Sequence, residues 1–366
     1  MRPTSGRGLV DMSETIRVGV LNDMADPLGL DEAAPEEADI GFWLERETRR
    51  LHAAGRLRAP VEIVHAYALG LPTGTSEAVE RAYHQLVDAQ ASLIVGPFLA
   101  DNAMILAPLA ESLRVPTLMC SNEERARSRH GFQLQSGSPE DEAALMMRQL
   151  ARLGCTRIAV IHEASRQGER MVKCLRSEGA AVGGELIARV PLEASALAPE
   201  DLDAALATAF AERPDGCIFI VHGKPPAELA QAVMRAGFTG PCFLNLGTTP
   251  EEGCELPADF AGWFQVALTS PGNATLAHLL AEHPIATRHR AAIARAYDLA
   301  RLVAEGLARA PTPGTSGARL GLEQVRALPA AQGEDGTLLG FGVHDRGALH
   351  GAYLTIRKCP CEAPPA

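Results

Sequence analysis

The side chains best placed for chemistry are short and polar, and they recur just past apolar runs. Asn22 and Asp23 follow Ile16–Leu21, Asp101 and Asn102 lie beyond Ser92–Gly96, and Ser121 and Asn122 follow Val115–Cys120. In the second half, Gln167 lies beyond Arg157–His162, His222 follows Gly216–Val221, and Asn245 sits at the end of Pro241–Leu246. These groups supply carboxylate, amide, hydroxyl and imidazole donors and acceptors, which suit hydrogen bonding to a small polar solute rather than bond cleavage. A buried solute needs both kinds, because each polar atom left unpaired costs on the order of 1–3 kcal/mol. The same residue types cap helices and form turns. Their repeated placement past apolar runs, and not any one of them, sets these residues apart from ordinary caps and turns. The candidate binding set is Asp23, Asp101, Asn102, Ser121, Asn122, Gln167, His222 and Asn245. Lys224, in a chain whose other lysines are Lys173 and Lys358, adds a cation beside it.

Signatures of covalent or metal chemistry are missing. The chain has no G-x-S-x-G elbow, no G-x-G-x-x-G after its first apolar run, no H-E-x-x-H and no paired C-x-x-C. Gly70–Ser76 (GLPTGTS) is one residue short of a phosphate loop and has no lysine. His283 and His289 would not share a helical face. No catalytic residue, metal or cofactor is expected, and the reading is of a protein that is not an enzyme. The eight cysteines are scattered, apart from Cys359-Pro-Cys361, and read as free thiols.

Charge narrows the partners. A net charge of −11 without a compensating basic run disfavours nucleic acid. No apolar stretch approaches the roughly 20 residues that cross a bilayer, so no membrane insertion is expected. Met1–Val20 carries Arg2, Arg7, Asp11, Glu14 and Arg17 and lacks the apolar core of a secretory signal. As encoded, the chain reads as cytoplasmic; an uptake role would place it in the periplasm and require a different start site.

The polar groups need a scaffold, and the chain alternates short apolar runs with helical periodicity. Ile16–Leu21, Val61–Tyr67, Ser92–Gly96 and Val115–Cys120 read as strands, and Ser76–Asp88 and Asp101–Leu113 as helices. The pattern restarts near Phe132–Pro139. It continues with strands at Arg157–His162, Ala181–Val190, Gly216–Val221 and Pro241–Leu246, and helices at Glu140–Leu153, Gly168–Glu178, Glu200–Glu212 and Ala227–Ala236. Ala286–Ala310 carries a long helix, Ala310–Ala318 reads as a loop, and Leu338–Val343 and Ala352–Ile356 as two closing strands around Asp345-Arg346-Gly347. Such alternation predicts α/β domains with parallel sheets covered on both faces. At 366 residues two domains are expected.

From Ala91 to Ser121 the chain resembles the type I periplasmic binding proteins, in the leucine/isoleucine/valine- and amide-binding branch associated with ABC transporters. Gly96-Pro97, Ala110-Glu111 and Val115-Pro116 match the branch pattern, as do IRVGVLNDMADP, RIAVIHEASRQGERM and ARAYDLARLVAEGLARA elsewhere. The resemblance implies two Rossmann-like doubly wound lobes with a ligand cleft and three inter-lobe crossings. These are placed near Gln135–Ser138, Leu246–Pro250 and Pro329–Gly336. One lobe would take residues 13–136 plus 250–330 and the other 137–249 plus 336–358, with 1–12 and 359–366 as flexible tails. It further implies a solute-binding protein of an ABC uptake system for an amino acid, amide or urea-like metabolite, with a permease as partner. The alternative is a cytoplasmic sensor with a regulatory partner; oligomerisation is left open. The chain departs from amino-acid-binding members at Leu99–Asn102, at Asn122-Glu123-Glu124, where they carry a Gly-Ala-Thr-like turn, at Gln167, where they carry Tyr, and near Pro225 and Leu246.

Overall fold

Short apolar strands can be fully buried only if helices cover both faces of their sheet, and the first half of the chain does this. A computed structural model describes residues 15–24, 39–192, 199–221, 227–248, 256, 258–283 and 289–359. The first sheet contains β1 (Ile16–Asn22), β2 (Val61–Tyr67), β3 (Leu93–Val95), β4 (Thr117–Ser121) and β5 (Gly131–Gln135), all parallel in the order β2-β1-β3-β4-β5. Helices α1 (Ile40–Ala53), α2 (Ser76–Asp88) and α3 (Ala100–Leu113) provide the crossovers. Asp39 caps α1 and Thr75 caps α2, each accepting a backbone N–H of the first turn. Strand residues Leu21 and Ile94 pack with Val79, Tyr83 and Leu86 of α2 on one face, while Val18, Val20 and Val95 join Trp43 and Leu44 of α1 on the other.

The second half repeats the plan. Helix α4 (Pro139–Arg152) leads into β6 (Arg157–Glu163), and α5 (Arg166–Val182) into β7 (Glu185–Leu192). Then come α6 (Pro199–Phe210), β8 (Gly216–Ile220), α7 (Ala227–Arg235), β9 (Cys242–Leu244) and β10 (Phe264–Ala267). Beyond β10 lie α8 (Ala274–Glu282), α9 (Arg290–Ala308), α10 (Gly314–Leu322), three two-residue strands β11 (Leu328–Pro329), β12 (Leu338–Leu339) and β13 (Leu349–His350), and β14 (Thr355–Lys358). The second sheet runs β14-β10-β9-β8-β6-β7, with β14 alone antiparallel. Among the described residues six cysteines are free, five of them buried. Cys254 and Cys361 fall outside the described residues.

Several expected elements lie elsewhere. Strand β10, inside the 250–330 range assigned to the first lobe, pairs in the second sheet, so the second crossing follows it at Leu268–Asn273 rather than Leu246–Pro250. Its sequence, Phe264-Gln-Val-Ala267, is too short and mixed to stand out. The third crossing precedes β14, after β13, and not at Pro329–Gly336. The two closing strands do not pair with each other: β12 pairs with β13, and β14 with β10. Gly314–Leu322 is a helix despite its glycines, because Gly317 and Gly321 lie so close to Thr312 and Gly306 that α10 packs directly on the end of α9. The strand expected at Ala181–Val190 starts only at Glu185, since α5 continues to Val182 and stops at left-handed Gly183.

The link from β5 of the first sheet into α4 is tightly built. Ser138 caps α4 by accepting the Asp141 N–H at 3.1 Å and donates its hydroxyl to the Asp141 carboxylate at 2.8 Å. Gly137 has φ +89°, and a Cβ there would sit 2.7 Å from Leu246 Cδ2. Glu142, in the first turn of α4, is buried and accepts the Leu246 N–H at 2.7 Å, tying the first crossing to the end of β9. Tyr353, at the third crossing, donates its hydroxyl to Asp141. Asp298 of α9 accepts the N–H groups of Ala331 and Gln332 at 2.9–3.1 Å, and Asn273 of the second crossing donates to the carbonyls of Ala330, Gln332 and Gly333. The strands that join the halves are therefore cross-linked by buried side chains.

Candidate functional site

In a doubly wound sheet the crevice opens past the C-terminal ends of the strands. The structure sorts the expected residues there by what each already holds. Asp23 is completely buried and accepts the N–H groups of Phe98 and Leu99 at 2.8 and 3.2 Å. It also accepts the Asn102 amide at 2.7 Å, and Asn102 in turn accepts the Leu71 N–H at 3.0 Å. Burial raises the Asp23 carboxyl, and the hydrogen bonds it accepts from Asn102, Phe98 and Leu99 pull it back. These two residues meet, but they face each other: they knot the loops after β1, β2 and β3 into one unit. Gly70 completes the knot, because any Cβ there would lie 2.3 Å from the Asn102 amide nitrogen.

Ser121 is buried at the end of β4, where Gln133 donates to its carbonyl at 2.7 Å. Asn245 is buried past β9 and accepts the Val221 N–H at 3.1 Å, holding the ends of β8 and β9 together. Three candidates have no side-chain hydrogen bond among the described residues: exposed Asp101, half-buried Asn122 and exposed Gln167. His222 lies outside the described residues, as does Lys224. Asp101 stands in the first turn of α3, whose N-cap Leu99 brings no side-chain cap; the Leu99 N–H is taken by Asp23 at 3.2 Å, and the N–H groups of the first turn after it have no side-chain acceptor among the described residues. Gln167 occupies the first turn of α5, capped by Ser165 at the Gly168 N–H, 3.1 Å.

The residues the sequence reading missed are ionic. Glu123, next to Asn122, is buried; Arg125 holds its carboxyl down to about 2 by hydrogen bonding, with Arg170 adding attraction. Arg170 lies on α5, which packs on the second sheet, and reaches Glu123 at 3.4 Å and Glu140 at 2.9 Å. One guanidinium thus spans from the loop after β4 of the first sheet to the second half of the chain. The signal was present as the acidic Asn122-Glu123-Glu124 turn, but its partner is 47 positions away. Because Arg170 is about one-third exposed, the tie is worth about 1 kcal/mol or less. Arg170→Ala is expected to loosen the lobes. Small-angle scattering of the ligand-free variant should give a larger radius of gyration; an unchanged profile would show that the pair holds nothing together.

Two sheets, parallel but for β14, three crossings, and polar loops gathered at the strand ends define a two-lobed binding fold. The chain belongs to the periplasmic binding protein family, whose sequence profile matches residues 15–354. Solved structures show the same fold at low identity. A type 1 periplasmic binding protein from Bordetella pertussis Tohama I is 16% identical with a TM-score of 0.72, the match covering 94% of this chain and 96% of that one. An ABC transporter substrate-binding protein from Desulfitobacterium hafniense in complex with Leu is 16% identical, TM-score 0.70, covering 94% and 97%. A solute-binding protein from R. palustris in complex with 4-hydroxybenzoate is 15% identical, TM-score 0.68, covering 94% and 93%. No curated protein matches the sequence. No helix among the described residues is long and apolar enough to cross a membrane.

Proposed function

We propose that this protein binds a small polar metabolite between its lobes and delivers it to an ABC-type permease, without chemical turnover. The observation that carries the reading is the placement of Asp101, Asn122 and Gln167. They sit at strand ends of both sheets, and their side chains have no hydrogen-bond partner among the described residues, whereas the buried polar groups behind them are paired. Leucine and 4-hydroxybenzoate, the ligands of two relatives in fold, both carry a carboxylate. The first turn of α3, whose N–H groups past Leu99 have no side-chain acceptor among the described residues, suits such a group, since helix N-termini favour negative charge. Closure would follow from rotation about the three crossings, which leaves both sheets intact.

Titration calorimetry against leucine, glutamine, acetamide, urea and 4-hydroxybenzoate tests the reading, alongside native mass spectrometry for a co-purified metabolite. At least one small solute should bind, and its saturation should reduce the radius of gyration in scattering. A bound solute that leaves the radius unchanged would refute closure, and absence of any bound or binding solute would refute the function.

A further inference from the structure

A cavity of about 620 Å³ lies beside edge strand β5 of the first sheet, lined by the turn that precedes β5, by the segment around Arg346 that is bonded to it and by the end of α10, and shares no lining residue with the strand-end candidates. Four arginines line it, Arg127, Arg129, Arg319 and Arg346, against two carboxylates, Glu323 and Asp345. The imbalance is notable in a chain of net charge −11, where acids outnumber bases 45 to 34. All four cations are arginine, whose planar fork matches an oxyanion with two parallel hydrogen bonds.

Three of the guanidiniums are fixed by the fold. Arg346 is buried, donates to the Gly342 carbonyl at 3.0 Å and to Glu323 at 2.6 Å, and lies 4.5 Å over the ring of Phe132. Arg127 is held by Gln133 and by Glu124 at 3.2 Å, and Arg319 by Glu323. Glu323 thus answers two guanidiniums with a single charge, and Arg129 is exposed with no side-chain partner among the described residues. Cations oriented in advance by neighbours bind an anion without losing further side-chain freedom. The segment that carries Arg346 runs along β5, with Gln133 accepting the Ala348 N–H and donating its own to the Arg346 carbonyl, both at 2.8 Å, so the lining is continuous with the sheet.

We propose that this cavity is an accessory site for a small organic anion bearing clustered negative oxygens, separate from the solute cleft and independent of what the cleft binds. Its volume falls within the range of roughly 300–1,000 Å³ usual for small-molecule sites. Calorimetry on the full chain with pyrophosphate, adenosine monophosphate and citrate, at 20 and 200 mM salt, separates phosphate from carboxylate sources. At least one should bind, more weakly at the higher salt. Arg129→Ala should weaken it about tenfold, and Arg127→Ala/Arg129→Ala further, with both variants checked for an unchanged melting temperature. Hydrogen exchange with the bound probe should slow in 127–129 and 343–346. Failure of all three probes to bind overturns the proposal, as does binding that is indifferent to both variants, or protection appearing instead at 99–102 and 165–168.

Discussion

Asn102→Ala is expected to unfold the first lobe more readily than any substitution at the exposed candidates. The side chain is fully buried and answers three atoms: the Asp23 carboxylate at 2.7 Å, the Leu71 N–H at 3.0 Å and the Leu71 carbonyl at 3.4 Å. Alanine leaves a buried carboxylate one donor short and a backbone N–H with no acceptor. Each orphaned group costs about 1–3 kcal/mol, so the sum is about 3–5 kcal/mol. For a lobe of this size that corresponds to a fall in melting temperature on the order of 10 °C. Asn102→Asp keeps the acceptor for Leu71 but sets a second carboxylate against Asp23, and should be no milder. Asp101→Ala, one residue away and exposed, should leave the melting temperature within about 1 °C. Calorimetric affinity for the identified solute, measured at 10 °C where the variants stay folded, completes the comparison. If Asn102→Ala melts like the wild type but loses solute affinity, Asn102 is a ligand contact and the knot is incidental.

That contrast shows where sequence reasoning reaches its limit. Strands such as Leu93–Val95 and Gly216–Ile220 were legible because they are buried on both faces, and burial on both faces writes itself as an uninterrupted apolar run. Strand β10 and helix α10 were not, since a short mixed strand and a glycine-bearing helix take their form from what they pack against: β9 and β14 for one, the end of α9 for the other. Asp23, Asn102 and Asn245 lie past the ends of β1, β3 and β9, and Ser121 is the last residue of β4, as the strand-end rule expects of residues near a crevice. The rule carried no information on whether a side chain turns outward to a solute or inward to a neighbouring loop. That depends on partners 24 to 79 residues away, such as Val221 for Asn245 and Asp23 for Asn102. The Glu123–Arg170 pair and the buried carboxylates of the crossings were invisible for the same reason: each is defined by a partner that only the fold brings near.

Stability is expected to fall as pH rises from about 4.5 to 7, with Glu142 and Asp298 as its main source. Both are buried, Glu142 at the first crossing and Asp298 on α9 against Ala331 and Gln332, and burial pushes each carboxyl up to about 7, the accepted backbone N–H bonds opposing it only in part. In the unfolded chain they release their protons near the ordinary carboxylate values of 4.5 and 3.8. Between those limits the folded state holds more protons than the unfolded one, so raising the pH favours unfolding. The stabilisation is whole below about pH 4 and gone above about pH 7, on the order of 3 kcal/mol for each group. Carboxyls held low, such as Glu123 at about 2 and Glu305, act in the opposite sense. Their contribution is already complete above about pH 5 and is lost only on further acidification, so the two effects occupy separate windows. Glu142→Gln isolates one of them: the amide oxygen still accepts the Leu246 N–H, but nothing titrates. At pH 8 the variant should melt several degrees above the wild type, at pH 4.5 within about a degree of it, and its slope between should be roughly half. Parallel wild-type and Glu142→Gln curves across that window would mean that the carboxyl ionises in the folded protein at its ordinary value. The contact between α4 and Leu246 would then be an ionic anchor at neutral pH, and opening the crossings would not require that proton.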